Sequence, residues 1–452
     1  MKGLSLLVIA KAVGGELVCQ GQYINREISG AVIDSRLVEN DYLFFAVKGE
    51  RCDGHDFINQ VYEKGALCTI VEKKIDTDRP YIIVDSSLLA LKKLAAYYRS
   101  ILNIKIIGIT GSVGKTSTKE FIASVLCTQY DVLKTEGNFN NEIGVPLTIL
   151  KIRQNHEIAV IEMGISDFGE MTRLSEIAKP DVCVITNIGT CHLENLGDRE
   201  GVLRAKTEMF GNASSNCSVV LNGDDDKLIT ITDVKGKQVH FFGHSDKFKC
   251  YCSNIENNGI DGTKCNIHLY SKEIKVEIPI PGEHMVGNAM AASLIGYLLN
   301  VTMENIKKGI ESIQSVGGRV NIIRGKYTVI DDCYNANPVS MKASLDLLST
   351  AKGRKIAVIG DMYELGLREK ELHMEIGNYA SNKSDYIFST GSFSEVIKQG
   401  CDKSAISMEN VNIFENIDDL IYNIKQFVTK GDTILVKASH SMHFEKIVKA
   451  LQ

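Results

Sequence analysis

No stretch of this chain approaches the ~20 consecutive apolar residues that span a bilayer, so no membrane-crossing helix is expected. Basic residues are not in excess either. The 51 lysines and arginines stand against 56 aspartates and glutamates, a formal net charge of −5, which offers no positive surface to DNA or RNA phosphates. Charge blocks, low-complexity tracts and internal repeats are missing, which sets aside charged tails and repeat architectures. The 12 cysteines include no C-x-x-C, and the tightest pair is Cys250-x-Cys252. Zinc and dithiol-redox chemistry lack their spacing, and a disulfide framework does not suit so large a chain. Reduced thiols in a cytoplasmic protein are the expectation.

What is present is ordinary for a globular protein: 452 residues, 44% hydrophobic and 24% charged, room for about three domains. Lys2 ahead of Leu4–Ala10 imitates a secretion leader, but the run leads into Val13-Gly14-Gly15, the pattern of a helix ending at glycine. Up to about residue 85 strand patterns predominate, at Tyr42–Val47, Cys68–Val71 and Tyr81–Val84. Leu88–Ile101 has helical spacing. Beyond it, strands at Ile158–Glu162 and Val182–Thr186 separated by helical stretches predict a parallel sheet. The more polar segment 223–282 alternates and predicts added antiparallel strands, followed by a small-residue-rich helix at Gly287–Leu299. Past about residue 316, strands at Tyr327–Ile330, Lys355–Ile359, Tyr386–Ser389 and Thr433–Val436 predict a second parallel α/β unit. The expected fold is α/β in three domains, 1–85, 86–315 and 316–452.

The most informative segment runs from Ile104 to Ser117. Its apolar run reads as a buried strand, Gly111-Ser112-Val113-Gly114 as a tight loop, and Lys115-Thr116-Ser117 as the start of a helix. Phe121, Ile122, Val125 and Leu126 continue that helix at the right spacing. Strand, glycine loop and helix form the context of a phosphate cradle, where backbone N–H groups and the helix N-terminus favour an anion. Lys115 would contact the outer phosphates and the Thr116 hydroxyl would ligate magnesium. The G-x-x-x-x-G-K-[ST] pattern wants glycine where Ile109 stands, so the match is to a shorter form.

Other polar residues gather at strand ends, where α/β sheets bind ligands. Glu162 ends one strand and is placed to hold Mg²⁺ beside Thr116. His192 and Glu194 follow the strand Val182–Thr186, although no Pro-Cys-x-x-Cys completes a zinc-deaminase pattern. Lys206 on its own is an ordinary surface lysine in a helical stretch. His284 and Asn288 are four apart and share a helix face. Asp331-Asp332, Tyr334, Asn335 and Asn337-Pro338 end one strand, and Gly360-Asp361-Met-Tyr-Glu364-Leu-Gly366 follows the next in sequence. Two such ends on neighbouring strands predict a binding mouth. Strings resembling a GTP switch (Asp198-Arg-Glu-Gly201, Asn382-Lys-Ser-Asp385) and a kinase motif (Asp167-Phe168-Gly169) lack their context.

Taken together, Gly111–Ser117, Gly137-Asn-Phe-Asn-Asn-Glu-Ile-Gly-Val-Pro146, Thr186–Gly197 and Asp332–Pro338 resemble the Mur ligases, ATP-dependent amide-forming enzymes of peptidoglycan synthesis. The resemblance runs in order along essentially the whole chain. Asn138–Asn141, Tyr334–Pro338 and Gly360–Gly366 match the member that adds D-alanyl-D-alanine, and the Asp-Asn-Pro-Arg motif of the member adding the third residue is missing. The resemblance implies a small UDP-sugar-binding N-terminal domain with Asp34, Ser35 and Arg36, and with the run Gly49–Asp56. It further implies a central P-loop ATPase-type domain and a Rossmann-like C-terminal domain for the acceptor.

By position, the resemblance makes Thr116 and Glu162 ligands of one Mg²⁺ and assigns His192 to a second. Lys206 falls where some members carry a carbamate that also ligates metal. Asn288 and Arg319 fall at the nucleotide, Asn138 and Asn141 at substrate, and Asp331, Asn335 and Asn337 near the acceptor. The implied reaction joins D-Ala-D-Ala to UDP-N-acetylmuramoyl-tripeptide through an acyl phosphate, in a monomer. A departure stands at Lys437-Ala438-Ser439-His440, where the family usually has glycine for Ala438 and arginine for His440. Histidine lacks arginine's bidentate fork. The alternatives are a related ligase with another acceptor and a nucleotide-binding switch without ligation.

Overall fold

Leu6, Ile9, Ala10 and Val13 fall at helical spacing, and all four are buried on the helix Leu6–Val13. Ser5 caps its start and Gly14, at φ 73°, ends it, because glycine enters the left-handed region without a Cβ penalty. The computed structural model describes residues 1–49, 52–314 and 320–452. Arg319, Glu50 and Arg51 lie outside the described residues. The chain divides into two compact units, Met1–Lys249 with Leu298–Val301, and Cys250–Tyr297 with Thr302–Gln452.

The first unit begins with a five-stranded sheet in the order Glu16–Val18, Tyr81–Ile83, Cys68–Val71, Tyr42–Phe45, Gly30–Val32. Only the pair Glu16–Val18 with Tyr81–Ile83 is antiparallel. Parallel strands buried on both faces read as unbroken apolar runs, which is why Tyr42–Phe45, Cys68–Val71 and Tyr81–Ile83 were legible, while the short, less buried edge strands Glu16–Val18 and Gly30–Val32 were not predicted. Helix Ser87–Ile101 follows and buries Leu91, Leu94 and Tyr98. These residues share one continuous core with Ile9 of the first helix and with Ile106 and Ile161 of the next sheet.

That next sheet carries the phosphate-loop strand Lys105–Thr110 in its middle, parallel to Ile158–Glu162 on one side and Val182–Ile185 on the other. The chain runs from Lys105–Thr110 out to the strand Val132–Lys134, back to Ile158–Glu162, and then across to Val182–Ile185. Strand order reverses there, and the carboxyl ends of the three central strands open onto one crevice. Ser218–Asn222 and Gln238–Gly243 extend the sheet, both in parallel register. Gln238–Gly243 therefore departs from the antiparallel expectation for this polar segment. Its neighbour within the first unit, Ser218–Asn222, runs parallel and is therefore reached by a crossover, not a hairpin.

In the second unit Cys250–Asn257, Thr263–Leu269 and Lys272–Ile278 form the expected antiparallel meander. Helix His284–Leu298 follows, and then a six-stranded sheet in the order Asn321–Arg324, Thr328–Asp331, Thr433–Lys437, Lys355–Ile359, Tyr386–Thr390, Val411–Phe414. It is parallel except at the edge pair Asn321–Arg324 with Thr328–Asp331. One expectation is corrected. The strands ending at Asp331 and Ile359 are not neighbours, because Thr433–Lys437 lies between and pairs with both. Among the described residues no helix is long and apolar enough to cross a membrane.

Candidate active site

Gly111 leaves the strand Lys105–Thr110 at φ 155°, and a Cβ there would meet Thr186 Oγ1 at 1.9 Å. Only glycine lets the loop pass so close. Gly114, at φ 78°, opens the helix Lys115–Leu126, with Lys115, Thr116 and Ser117 in its first turn. The segment after Val182–Ile185 then clamps the loop. Ser112 N–H donates to Asn187 O at 3.1 Å, Val113 N–H donates to Asn187 Oδ1 at 2.9 Å, and Thr186 Oγ1 and Asn187 Nδ2 donate to Val113 O at 2.7 and 3.0 Å. Ser112 Oγ accepts from Gly189 N–H at 2.8 Å and contacts Cys191 Sγ at 3.2 Å. Lys115 Nζ folds back to donate to Gly111 O at 2.9 Å.

The helix start and the adjacent strand end meet through one bond: Thr116 Oγ1 donates to Glu162 Oε2 at 2.9 Å, both residues buried. Two hard oxygen donors at the foot of a phosphate loop match what Mg²⁺ takes, so the residues fit the cation. Lys206 is the largest surprise in the unit. Its side chain, on helix Arg199–Thr207, is 1% exposed. Burial first, and the nearby Lys115 charge second, push its amine down to about 8. The helical stretch around it, taken alone, read as surface, whereas the family resemblance placed Lys206 at a metal-ligating carbamate position. Asp198, which imitated a switch motif, instead caps this helix by accepting from Gly201 N–H at 2.8 Å.

His192 is exposed, with φ 53°, one position past Cys191 and at the start of the short helix Leu193–Leu196. Among the described residues, no group of three or more His, Cys, Asp or Glu side chains is set to hold a metal. Of the amides between Asn138 and Asn141, Asn140 is the one that reaches the site, donating from Nδ2 to Glu162 Oε1 at 2.9 Å. Asn138 is exposed, and Asn141 Oδ1 accepts from Ile143 and Gly144 N–H to start the helix Gly144–Leu150. Lys119, fully buried, donates to Thr135 O at 2.6 Å and stands 3.9 Å from Glu162. Nothing in the residues around it marked Lys119, which the helical pattern left as a generic cation. Asp34 accepts from Arg36 through both carboxylate oxygens, and that hydrogen-bonded guanidinium holds its carboxyl below the usual range.

In the second unit the strand ends at Asp331 and Lys437 converge. Lys437 Nζ donates to Asp332 Oδ2 at 2.5 Å and to Asn335 O at 3.1 Å. Ser344 Oγ also donates to Asp332 Oδ2. His284, on its helix start, feels Asp332 and Lys437 electrostatically, and desolvation depresses its imidazolium. Asn288 is buried and donates to Met285 Sδ at 3.4 Å. Asp331 accepts from Cys333 Sγ at 3.0 Å. Asn335 is exposed, while Asn337 caps the helix Pro338–Ser349 in a capping box with Ser340. Tyr334 and His440 rings lie 5.3 Å apart. Asp361, expected at a binding mouth, is fully buried and spends its carboxylate on Ser392 and Phe393 N–H at 2.8 and 3.0 Å.

Three family models match this chain in order: the "Mur ligase family, catalytic domain" over residues 27–99, the "Mur ligase middle domain" over 109–296, and the "Mur ligase, glutamate ligase domain" over 318–440. The UDP-N-acetylmuramoyl-tripeptide–D-alanyl-D-alanine ligase of Bacillus subtilis (strain 168) is 39% identical over 453 residues, covering 98% of this chain and 97% of the relative. The chain belongs to the Mur ligase family. A second relative of the same name, from Escherichia coli (strain K12), is 33% identical over 95% of this chain and 96% of its own length. Among solved Mur ligases, MurF from Acinetobacter baumannii aligns with a TM-score of 0.90 at 33% identity, covering 99% of this chain and 98% of that one. MurF ligase from Thermotoga maritima, solved in complex with ADP, aligns at 0.81 and 32% identity, covering 93% and 96%. The three-domain α/β architecture expected from the sequence is that of this family.

Proposed function

We infer that this Mur ligase joins D-alanyl-D-alanine to UDP-N-acetylmuramoyl-tripeptide at the expense of ATP, completing the pentapeptide precursor of peptidoglycan. The full-length likeness to ligases of that name supports the acceptor and donor. The observation that carries the chemistry is the buried Thr116–Glu162 contact at the foot of the phosphate loop, next to Lys115, whose charge also reaches the buried Lys206.

In this reaction the tripeptide carboxylate attacks the γ-phosphorus of ATP, and the bond to the leaving ADP oxygen breaks. The D-Ala-D-Ala amine, as the free base, then attacks the acyl phosphate carbonyl. The C–N bond forms, phosphate leaves, and the amine proton passes to solvent or phosphate. Several anions must meet in the first step, so fixed positive charge is required. Ser112 and Val113 N–H are committed to Asn187, which leaves the cradle to the amino end of helix Lys115–Leu126, where the helix dipole favours an anion. Lys115 Nζ stands over the same loop. Bound Mg²⁺, held by Thr116 and Glu162, would supply Lewis-acid charge neutralisation to the phosphates, and His192 would serve a second ion.

Lys206 is suited to carbamate formation, because a neutral amine near pH 8 attacks CO₂, forming an N–C bond and releasing a proton. The product is an anion able to ligate metal. Asp34, Ser35 and Arg36 are assigned to the UDP-sugar, Asn138 and Asn141 to substrate, Asn288 and Arg319 to the nucleotide, and Asp331, Asn335 and Asn337 to the acceptor. Residues 1–85, 86–315 and 316–452 are the corresponding domains. Phosphate release that requires both the UDP-tripeptide and D-Ala-D-Ala, with the amide product identified by mass spectrometry, tests the proposal. Release with a different amino acid or dipeptide would move the chain to another acceptor, and nucleotide binding without any ligation would remove the reaction.

A further inference from the structure

We propose that Asn140 and Lys119 are positioning residues that lock the Glu162 carboxylate for divalent-cation binding. The inference rests on the phosphate-loop and magnesium assignment above. Glu162 is held from two other chain segments, the helix Lys115–Leu126 and the stretch 135–140. Its Oε1 accepts from Asn140 Nδ2 at 2.9 Å, and its Oε2 accepts from Thr116 Oγ1 at 2.9 Å. Lys119 Nζ lies 3.9 Å from Oε2. The backbone N–H of Glu162 donates to Thr135 Oγ1 at 2.9 Å, while Thr135 O accepts from Lys119 Nζ at 2.6 Å. Strand end, helix and the 135–140 segment thus close one network around a single carboxylate.

Asn140 is itself gripped. Gly164 N–H donates to Asn140 O at 2.8 Å, and a Cβ on Gly164 would come within 3.0 Å of Asn140 Cγ. The amide therefore has little room to turn away from Glu162. The division of labour follows from the donors. Asn140 occupies Oε1 with a neutral N–H and leaves Oε2, next to the Thr116 hydroxyl, on the phosphate-loop side. Lys119, beyond direct hydrogen-bond length, offsets charge without filling Oε2. Its other contacts, Thr135 O and Glu120 at 3.1 Å, fix the ammonium. A carboxylate ordered in advance loses less side-chain freedom when a cation arrives, and partners of this kind set ligand orientation in metal sites generally.

ADP binding to the full chain, measured by calorimetry with excess Mg²⁺ and again with EDTA, tests this without relying on turnover. Asn140→Ala should lose about tenfold of the Mg²⁺-dependent gain in ADP affinity and keep its affinity in EDTA. Lys119→Met should shift the same way, with circular dichroism reporting whether it folds; if it does not, the Asn140 result decides. Glu162→Gln is the reference. Should Glu162→Gln lose the Mg²⁺ gain while Asn140→Ala keeps it in full, the positioning role is overturned and the magnesium ligand stands. Should Glu162→Gln also keep the gain, both fall.

Discussion

The Thr116 hydroxyl donates to Glu162 Oε2 at 2.9 Å although 46 positions separate the two residues. Thr116 stands in the first turn of a helix and Glu162 at the last position of the strand beside the phosphate-loop strand. Parallel pairing of Ile109 with Glu162 brings the loop and the carboxylate to one level of the sheet. Replacing Thr116 by Ser keeps the hydroxyl and should hold turnover within a few-fold. Thr116→Val removes it while preserving volume and should cost about 100-fold in kcat, measured by phosphate release at saturating substrates.

Lys115→Ala should abolish ligation, a loss of about 1,000-fold or more in kcat/KM given the charge the lysine supplies to transferring phosphate. Far-UV circular dichroism should be unchanged, because Lys115 Nζ donates to carbonyls of the loop itself, at Gly111 and Ser112. Near-normal turnover in this variant would remove the phosphate-loop assignment.

Lys206 separates stability from activity. Its amine falls from 10.5 to about 8 in the folded chain. Below pH 8 both states carry the proton and the fold bears the whole cost of the buried charge, about 3 kcal/mol at 1.36 kcal/mol per pH unit. Between pH 8 and 10.5 the unfolded chain binds more protons, so this contribution to stability rises with pH. Lys206→Met should therefore resist urea better than the parent chain near pH 7 in CO₂-free buffer, with the advantage shrinking as pH rises through that window. Lys206→Ala should be nearly inactive, and formate or acetate should restore part of its turnover. Full activity without added carboxylate would exclude the carbamate.

Asp361→Ala should act through stability alone. The buried carboxylate satisfies two N–H groups at the turn into helix Ser394–Gly400, and leaving buried donors unpaired costs about 1–3 kcal/mol each. Urea unfolding should show a loss of about 2–4 kcal/mol, while kcat per folded molecule stays within two-fold. A large rise in KM for D-Ala-D-Ala at full folding would instead return Asp361 to the binding mouth.

Asn337→Ala separates two roles of one amide. The side chain caps helix Pro338–Ser349, so the variant should lose about 1 kcal/mol of stability. If Asn337 also faces the acceptor, KM for the dipeptide should rise several-fold at temperatures where the variant remains folded. Unchanged KM would confine it to the cap.

Strands, loop and helix around Gly111–Ser117 were legible because apolar runs, glycine turns and helical spacing are local patterns. The same holds for the strand ends at Glu162 and Asp331, and for the helix that Gly14 ends. Other features were invisible to any local pattern. Lys206 and Lys119 look like surface cations until the packing buries them. Among the amides of Asn138–Asn141, only folding selects Asn140 for Glu162. The mouth drawn from two polar strand ends acquires a third strand, Thr433–Lys437, between them, and one of its acids, Asp361, is buried and holds two backbone N–H groups of a turn. The sequence by itself determined the phosphate loop and the order of the elements, since each depends on residues a few positions apart. Tertiary structure alone decided which strands adjoin, which charges leave water and which side chains meet Glu162, because those depend on segments brought together from far along the chain.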